Sequence, residues 1–229
     1  MTPRENYFED PESFSIEDEK FDQLFPPRIR QLSSIFWTPV AVAAEAAQLL
    51  VTAPGTRVLD IGSGAGKFCL IAASLTGGRF TGLEQRAELV TAARQAAATL
   101  QISNVEFLHG NLLDVSFAEH NAFYLFNPFE ENMHGHKIDA EIPLSPALFK
   151  KYTRHVAAQL GAQPLGTHVV TYMGYADDIP ACYECEATRF GDDLKLWIKR
   201  RAYDPDIEQL GLRISRSYRG TLGWVAPRT

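Results

Sequence analysis

Cysteine, methionine and tryptophan are scarce in this 229-residue chain, three of each. Three cysteines cannot build a disulfide framework, and residues 1–22 are acidic and lack the apolar run of a secretory signal, so a cytoplasmic protein with reduced thiols is expected. Long hydrophobic runs are missing too. The most continuous, Val40 to Val51, is cut by Glu45 and Gln48 and falls well short of the ~20 residues that cross a bilayer as a helix. No membrane span is expected. Nor is there an excess of positive charge: 22 Lys+Arg stand against 28 Asp+Glu, a formal net charge of −6, which argues against sequence-independent affinity for nucleic acid. The charge is uneven, however. Residues 1–24 carry eight acids and two bases, whereas residues 195–229 carry eight bases and three acids. The basic group around Lys195, Lys199, Arg200, Arg201, Arg213, Arg216 and Arg219 reads as a solvated face opposite the acidic arm.

What is present is ordinary globular composition, 45% hydrophobic with 16 Gly and 13 Pro. A chain of this size buries roughly 70% of its unfolded surface, so one core with short appendages is expected. Three zones follow: an arm over residues 1–53, a core over 54–200 and an extension over 201–229. In the arm, Phe36-Trp37-Thr38-Pro39 leads into an Ala-rich helix, with Thr38 placed to cap it and Pro39 at its first position. Tyr7, Phe8, Phe14, Phe21 and Phe25 are candidates for an aromatic lid.

The core alternates strand and helix patterns. Strands are expected at Arg57 to Ile61, Arg79 to Leu83, Val105 to His109, Ala122 to Phe126 and His168 to Met173, several of them apolar throughout, as parallel strands covered on both faces are. Between them, Leu89, Ala93, Ala97 and Leu100 share one face of a helix, and Phe149, Tyr152, Val156 and Leu160 one face of another after Ser145-Pro146. Tyr183 to Phe190 and Leu194 to Arg200 flank Gly191-Asp192-Asp193 as an antiparallel hairpin that closes a mixed sheet.

The strongest chemical signal is Asp60-Ile61-Gly62-Ser63-Gly64-Ala65-Gly66-Lys67, where a strand ends in an acid and enters a helix through glycines at alternate positions. Such a turn lets a ligand approach the backbone at the carboxyl ends of the strands, where open α/β sheets bind nucleotides. The dinucleotide fingerprint fails at its third glycine, which would fall on Lys67, and a carboxylate at Asp60 beside a diphosphate would be a like-charge contact. S-adenosylmethionine, with an ammonium, a sulfonium and no phosphate, suits these residues better than NAD(P) does. Glu84, 24 positions after Asp60 and at the end of the second strand, is placed to accept ribose hydroxyls.

From about Trp37 to Arg200 the chain resembles the class I S-adenosylmethionine-dependent methyltransferases. The resemblance rests on Asp60 to Gly66, Glu84, Gly110-Asn111-Leu112, Asn127-Pro128-Phe129 and the terminal hairpin, in the family's order. It implies a Rossmann-like α/β fold with a seven-stranded mixed sheet, an antiparallel last strand and helices on both faces. It also implies a cofactor site over Trp37, Thr38, Asp60, Gly62, Gly64, Gly66, Glu84, Asn111, Leu112 and Asn127. Asn111 stands where the family often has Asp, and its side-chain oxygen can accept from an adenine amino group without charge. Asn127-Pro128-Phe129-Glu130 resembles the N-P-P-[YF] motif of amino-group methyltransferases without its second proline and final aromatic. Asn127 would orient the acceptor and Phe129 would wall it, so these two are the catalytic candidates.

Other constellations carry less. Cys182-Tyr183-Glu184-Cys185 has no second pair to complete a zinc site, and His134-Gly135-His136 reads as a solvent-facing loop, so no metal is expected. Lys67 is followed by Phe68 rather than Ser or Thr, which excludes a P-loop. Methyl transfer is therefore expected, with the acceptor unidentified and a small molecule or protein favoured over nucleic acid. The competing readings are a nicotinamide-dependent oxidoreductase and a non-catalytic module that keeps the cofactor pocket.

Overall fold

The structure, a computed structural model, describes residues 14–133, 137–174 and 179–205. Four helices come first: α1 (Phe14–Asp22), α2 (Pro27–Arg30), α3 (Ser33–Phe36) and α4 (Val40–Leu50). The core then runs β1 (Arg57–Ile61), α5 (Lys67–Leu75), β2 (Arg79–Glu84), α6 (Ala87–Leu100), β3 (Val105–His109), β4 (Ala122–Phe126), α7 (Pro146–Gly161), β5 (His168–Tyr172), β6 (Tyr183–Arg189) and β7 (Leu194–Lys199). The seven strands form one sheet in the order β3-β2-β1-β4-β5-β7-β6. β1 to β5 are parallel, and β7 inserts antiparallel between β5 and β6. The expected mixed sheet is present, with an irregularity in the hairpin between Cys185 and Ala187.

Strand alternation divides the core into two layers. Val58, Phe80, Tyr124 and Val170 point to the α4–α5–α6 side, where Phe68 stacks on Tyr124 at 3.8 Å. Leu59, Ile61, Phe123, Leu125 and Val169 point to the α7 side, against Tyr152, Val156 and Leu160. The strand order reverses between β1 and β4, which opens a crevice at the carboxyl ends of these two strands.

Several local expectations are corrected. Thr38 does not cap α4: Pro39 holds the cap position, and the free N–H of Val40 donates to Asp18 Oδ1 at 3.0 Å, from α1. Thr38 instead shares a 2.9 Å hydrogen bond with the Tyr124 hydroxyl, which ties the arm to β4. Leu100 is 38% exposed at the end of α6 and leaves its apolar stripe. Phe25 packs in the core and Phe21 lies tilted against it at 6.1 Å, so neither covers the crevice as a lid. Tyr7, Phe8, the Phe14 side chain, His134 and His136 lie outside the described residues, as does the extension beyond residue 205.

The basic face is also different. Lys199 is buried, its ammonium donating to the carbonyls of Gly161, which ends α7, and Gln163, just past it, at 2.5 Å each. Arg200 and Arg201 pair with Glu186 and Glu184 of β6, not with the arm. No helix among the described residues is long and apolar enough to cross a membrane.

Candidate functional site

The crevice is an open cleft of about 940 Å3, walled by the arm on one side and by the ends of β1, β2, β4 and β5 on the other. Gly62 and Gly64 form part of its floor. Gly64 has φ +55, and a Cβ built on it would lie 2.1 Å from the Trp37 ring, so only glycine lets the arm close onto the turn. Gly66 serves the scaffold: it begins α5 with φ +80, and a Cβ there would strike Phe107 of β3 at 2.4 Å.

Glu84 sits where β2 ends. Its Oε2 accepts from Gly64 N at 3.1 Å and its Oε1 from Arg86 N at 2.8 Å. A carboxylate offers about four acceptor positions, so two such bonds orient it and leave capacity for hydroxyl donors in the cleft. Burial raises its pKa, against the backbone and guanidinium of Arg86, which lower it.

Asp60 shares the strand parity of Val58 and points under the turn, not into the cleft. It is 3% exposed and accepts from Cys69 Sγ at 3.3 Å. Burial pushes its carboxyl up to about 7, the Cys69 thiol opposes the rise and the Glu84 charge adds to it.

Asn111 closes a turn on itself, its Oδ1 accepting from Leu113 N at 3.0 Å, and its Nδ2 donates to the Tyr152 hydroxyl at 2.9 Å. The Tyr152 ring in turn stacks on Phe129, with centroids 5.2 Å apart and planes at 20°.

Asn127 ends β4 in the left-handed region, φ +38, and Met173, just past β5, has φ +53. Non-glycine residues in that region cost of order 1–3 kcal/mol each and cluster at functional sites. The two are linked, because Asn127 Nδ2 donates to the Met173 carbonyl at 3.0 Å. A carbonyl can only accept, so the amide orientation follows, and Oδ1 is the end left to receive a donor.

Of the residues expected from sequence, Trp37, Gly62, Gly64, Glu84, Leu112, Asn127 and Phe129 line the cleft together. Thr38, Asp60, Gly66 and Asn111 stand behind it and hold its walls.

Two charged groups escaped sequence reasoning. Arg86 is 4% exposed, its terminal nitrogens donating to both Glu131 oxygens at 3.1 and 2.8 Å and its Nε to Asp139 at 2.8 Å. It ties the end of β2 to the segment after β4. Lys67, 2% exposed, places its ammonium 2.5 Å from Asp18 and 2.8 Å from Asp22 and fixes α1 on the start of α5. Arg86 lies 45 and 53 positions from its partners, so no local pattern announces it. Among the described residues no cluster of His, Cys, Asp and Glu could hold a metal ion.

This strand order, with a glycine turn after β1 and an acid at the end of β2, defines a Rossmann-like fold. Residues 52–130 match the family model described as "Methyltransferase domain". Among curated proteins, the 23S rRNA (uracil(1939)-C(5))-methyltransferase RlmD of Shewanella sp. (strain MR-7) is 42% identical over 72 residues, 31% of this chain and 16% of its own length. The arsenite methyltransferase of Halobacterium salinarum is 42% identical over 62 residues, 26% of this chain. The chain thus spans 16% of the length of either relative. An RNA methyltransferase from Salinibacter ruber, crystallised with S-adenosyl-L-homocysteine, aligns with TM-score 0.53 at 24% identity over 73% of this chain and 95% of its own. TrmN from Thermus thermophilus aligns with TM-score 0.55 at 17% identity over 80% of this chain and 52% of its own. These two likenesses are of fold.

Proposed function

We propose that this protein is an S-adenosylmethionine-dependent methyltransferase acting on an acceptor that presents an N–H group. The observation that carries the reading is the meeting of Gly62, Gly64, Glu84 and Asn127 in one cleft at the carboxyl ends of the strands. When bound, S-adenosylmethionine supplies a methyl group activated by its sulfonium. Gly62, Gly64, Glu84, Leu112 and Trp37 would hold it, with Thr38, Asp60, Gly66 and Asn111 supporting those residues from behind. A carboxylate with spare acceptor capacity suits ribose hydroxyls, and the carboxylates of the cleft suit a cationic ligand better than a diphosphate.

Asn127 stands between the cofactor end and the acceptor end. Its Oδ1 accepts the acceptor N–H and aims the nitrogen lone pair along the transfer line, while Phe129, braced by Tyr152, keeps water away. Positioning of this kind is worth roughly 7–11 kcal/mol of a barrier. In this reading residues 54–200 are the catalytic core, residues 1–53 an arm that closes one wall, and 201–229 an extension. Free Cys69, Cys182 and Cys185 suit a reducing, cytoplasmic setting.

The test begins with calorimetry. S-adenosylmethionine and S-adenosylhomocysteine should bind and NADH and NADPH should not; the reverse pattern overturns the proposal. With the acceptor returned by a tritiated-methyl screen, Asn127→Ala should slow transfer roughly 10- to 100-fold. Its affinity for S-adenosylhomocysteine should barely change, and equal losses in both would remove the orienting role.

A further inference from the structure

The acceptor end of the cleft combines aromatic rings with carboxylates. Phe126 and Tyr172, on neighbouring strands, have ring centroids 4.8 Å apart at 54°, and Phe129 lines the same end. Ile35 and Met173, 53% and 46% exposed, also line the cleft and make it apolar where solvent reaches it. Glu84, Glu130 and Glu131 line it as well. Among the described lining residues Arg86 is the one cation, and its guanidinium is already paired with Glu131 and Asp139. A cleft of about 940 Å3 lies at the upper end of small-ligand pockets, so a nucleoside-sized cofactor leaves part of it for a second molecule.

We infer that the acceptor, on the methyltransferase reading above, is an uncharged or cationic small molecule with a flat aromatic body, presented N–H first to Asn127, and not a nucleic acid or other polyanion. Each group of observations points the same way. Phe126, Phe129 and Tyr172 give the lining aromatic surface, which suits a planar body and attracts an ammonium. An anion would lose water in a lining of three carboxylates whose one described cation is already paired. Nucleic acids are held chiefly through their phosphates by Lys and Arg, and the described lining supplies one such group, Arg86, already paired with Glu131 and Asp139. Of the basic side chains at the end of the sheet, Lys199 is placed on the end of α7 and Arg200 and Arg201 on β6. Asn127 adds the direction, since its fixed amide offers an acceptor and calls for a donor on the ligand.

Four probes of graded charge test this on the full chain: tryptamine, indole, indoleacetate and a short single-stranded RNA, titrated with and without S-adenosylhomocysteine. Tryptamine and indole should bind at least about tenfold more tightly than indoleacetate and the RNA. Glu130→Lys should narrow the gap between tryptamine and indoleacetate by about fivefold or more. Indoleacetate or RNA binding as tightly as indole overturns the inference, as does no binding of tryptamine or indole at millimolar concentration, or an unchanged ranking in the Lys variant. Failure of S-adenosylhomocysteine to bind would instead strike the methyltransferase reading, while the charge ranking on the unloaded protein still decides this one.

Discussion

Asp60 is a carboxyl that lies beside the cleft without lining it. Its side chain lies between β1 and α5 with the Cys69 thiol donating to it, and burial lifts its pKa to about 7. Below the ordinary carboxylate range both folded and unfolded chains carry the proton and the group costs nothing. As pH rises towards 7 the unfolded chain ionises while the folded one keeps its proton, so stability falls across that window and stays low above it. An Asp60→Asn variant lacks this dependence. Urea melts should show it gaining on the parent protein from pH 4 to pH 7, by roughly 4 kcal/mol at most, and a gap that does not vary with pH would refute the assignment. Asn127 was legible as a residue because it follows an apolar strand and precedes a proline. Its orientation was not, because the carbonyl that sets it belongs to Met173, 46 positions away.

At the level of elements, the arm is held by charge as well as by apolar packing. Lys67 opens α5 and buries its ammonium between Asp18 and Asp22 of α1, with Phe21 5.8 Å below it. Asp18 also takes the Val40 N–H, so one carboxylate joins α1, α4 and α5. Removing one partner of a buried ion pair typically costs about 3–5 kcal/mol, because the remaining charges stay buried. Lys67→Met should destabilise the protein by about that amount, speed proteolysis between residues 14 and 36 and red-shift Trp37 emission. Adding Asp18→Asn and Asp22→Asn should recover part of the loss; no recovery would mean that Lys67 acts through packing alone. The sequence presented Lys67 only as the residue that breaks the dinucleotide fingerprint and precedes the Phe68 that excludes a P-loop. The strand bounds, by contrast, were readable to within a residue, since they depend on apolar spacing within each segment.

For the whole molecule, the cleft is a junction of segments far apart in the chain: the arm, the ends of β1 and β2, and the loops after β4 and β5. A ligand that bridges them stabilises the folded state by mass action. S-adenosylhomocysteine at a hundredfold excess over its Kd should add about 2.7 kcal/mol and raise Tm by about 5–10 °C, with NADH giving no shift. A scanning-fluorimetry trace unmoved by S-adenosylhomocysteine would count against the proposed cofactor.

The sequence by itself determined the sheet, its parallel core and closing hairpin, and the glycine turn between two acids, because period-two and period-3.6 apolar patterns and a glycine spacing are local and need no partner to be recognised. Only the tertiary structure decided which side chains meet. Strand parity turned Asp60 away from the cleft and the Met173 carbonyl turned the Asn127 amide, while Arg86 and Lys67 found acids contributed by other segments. Such contacts depend on distances through space between residues that the chain keeps far apart, and no repeat along the sequence encodes them.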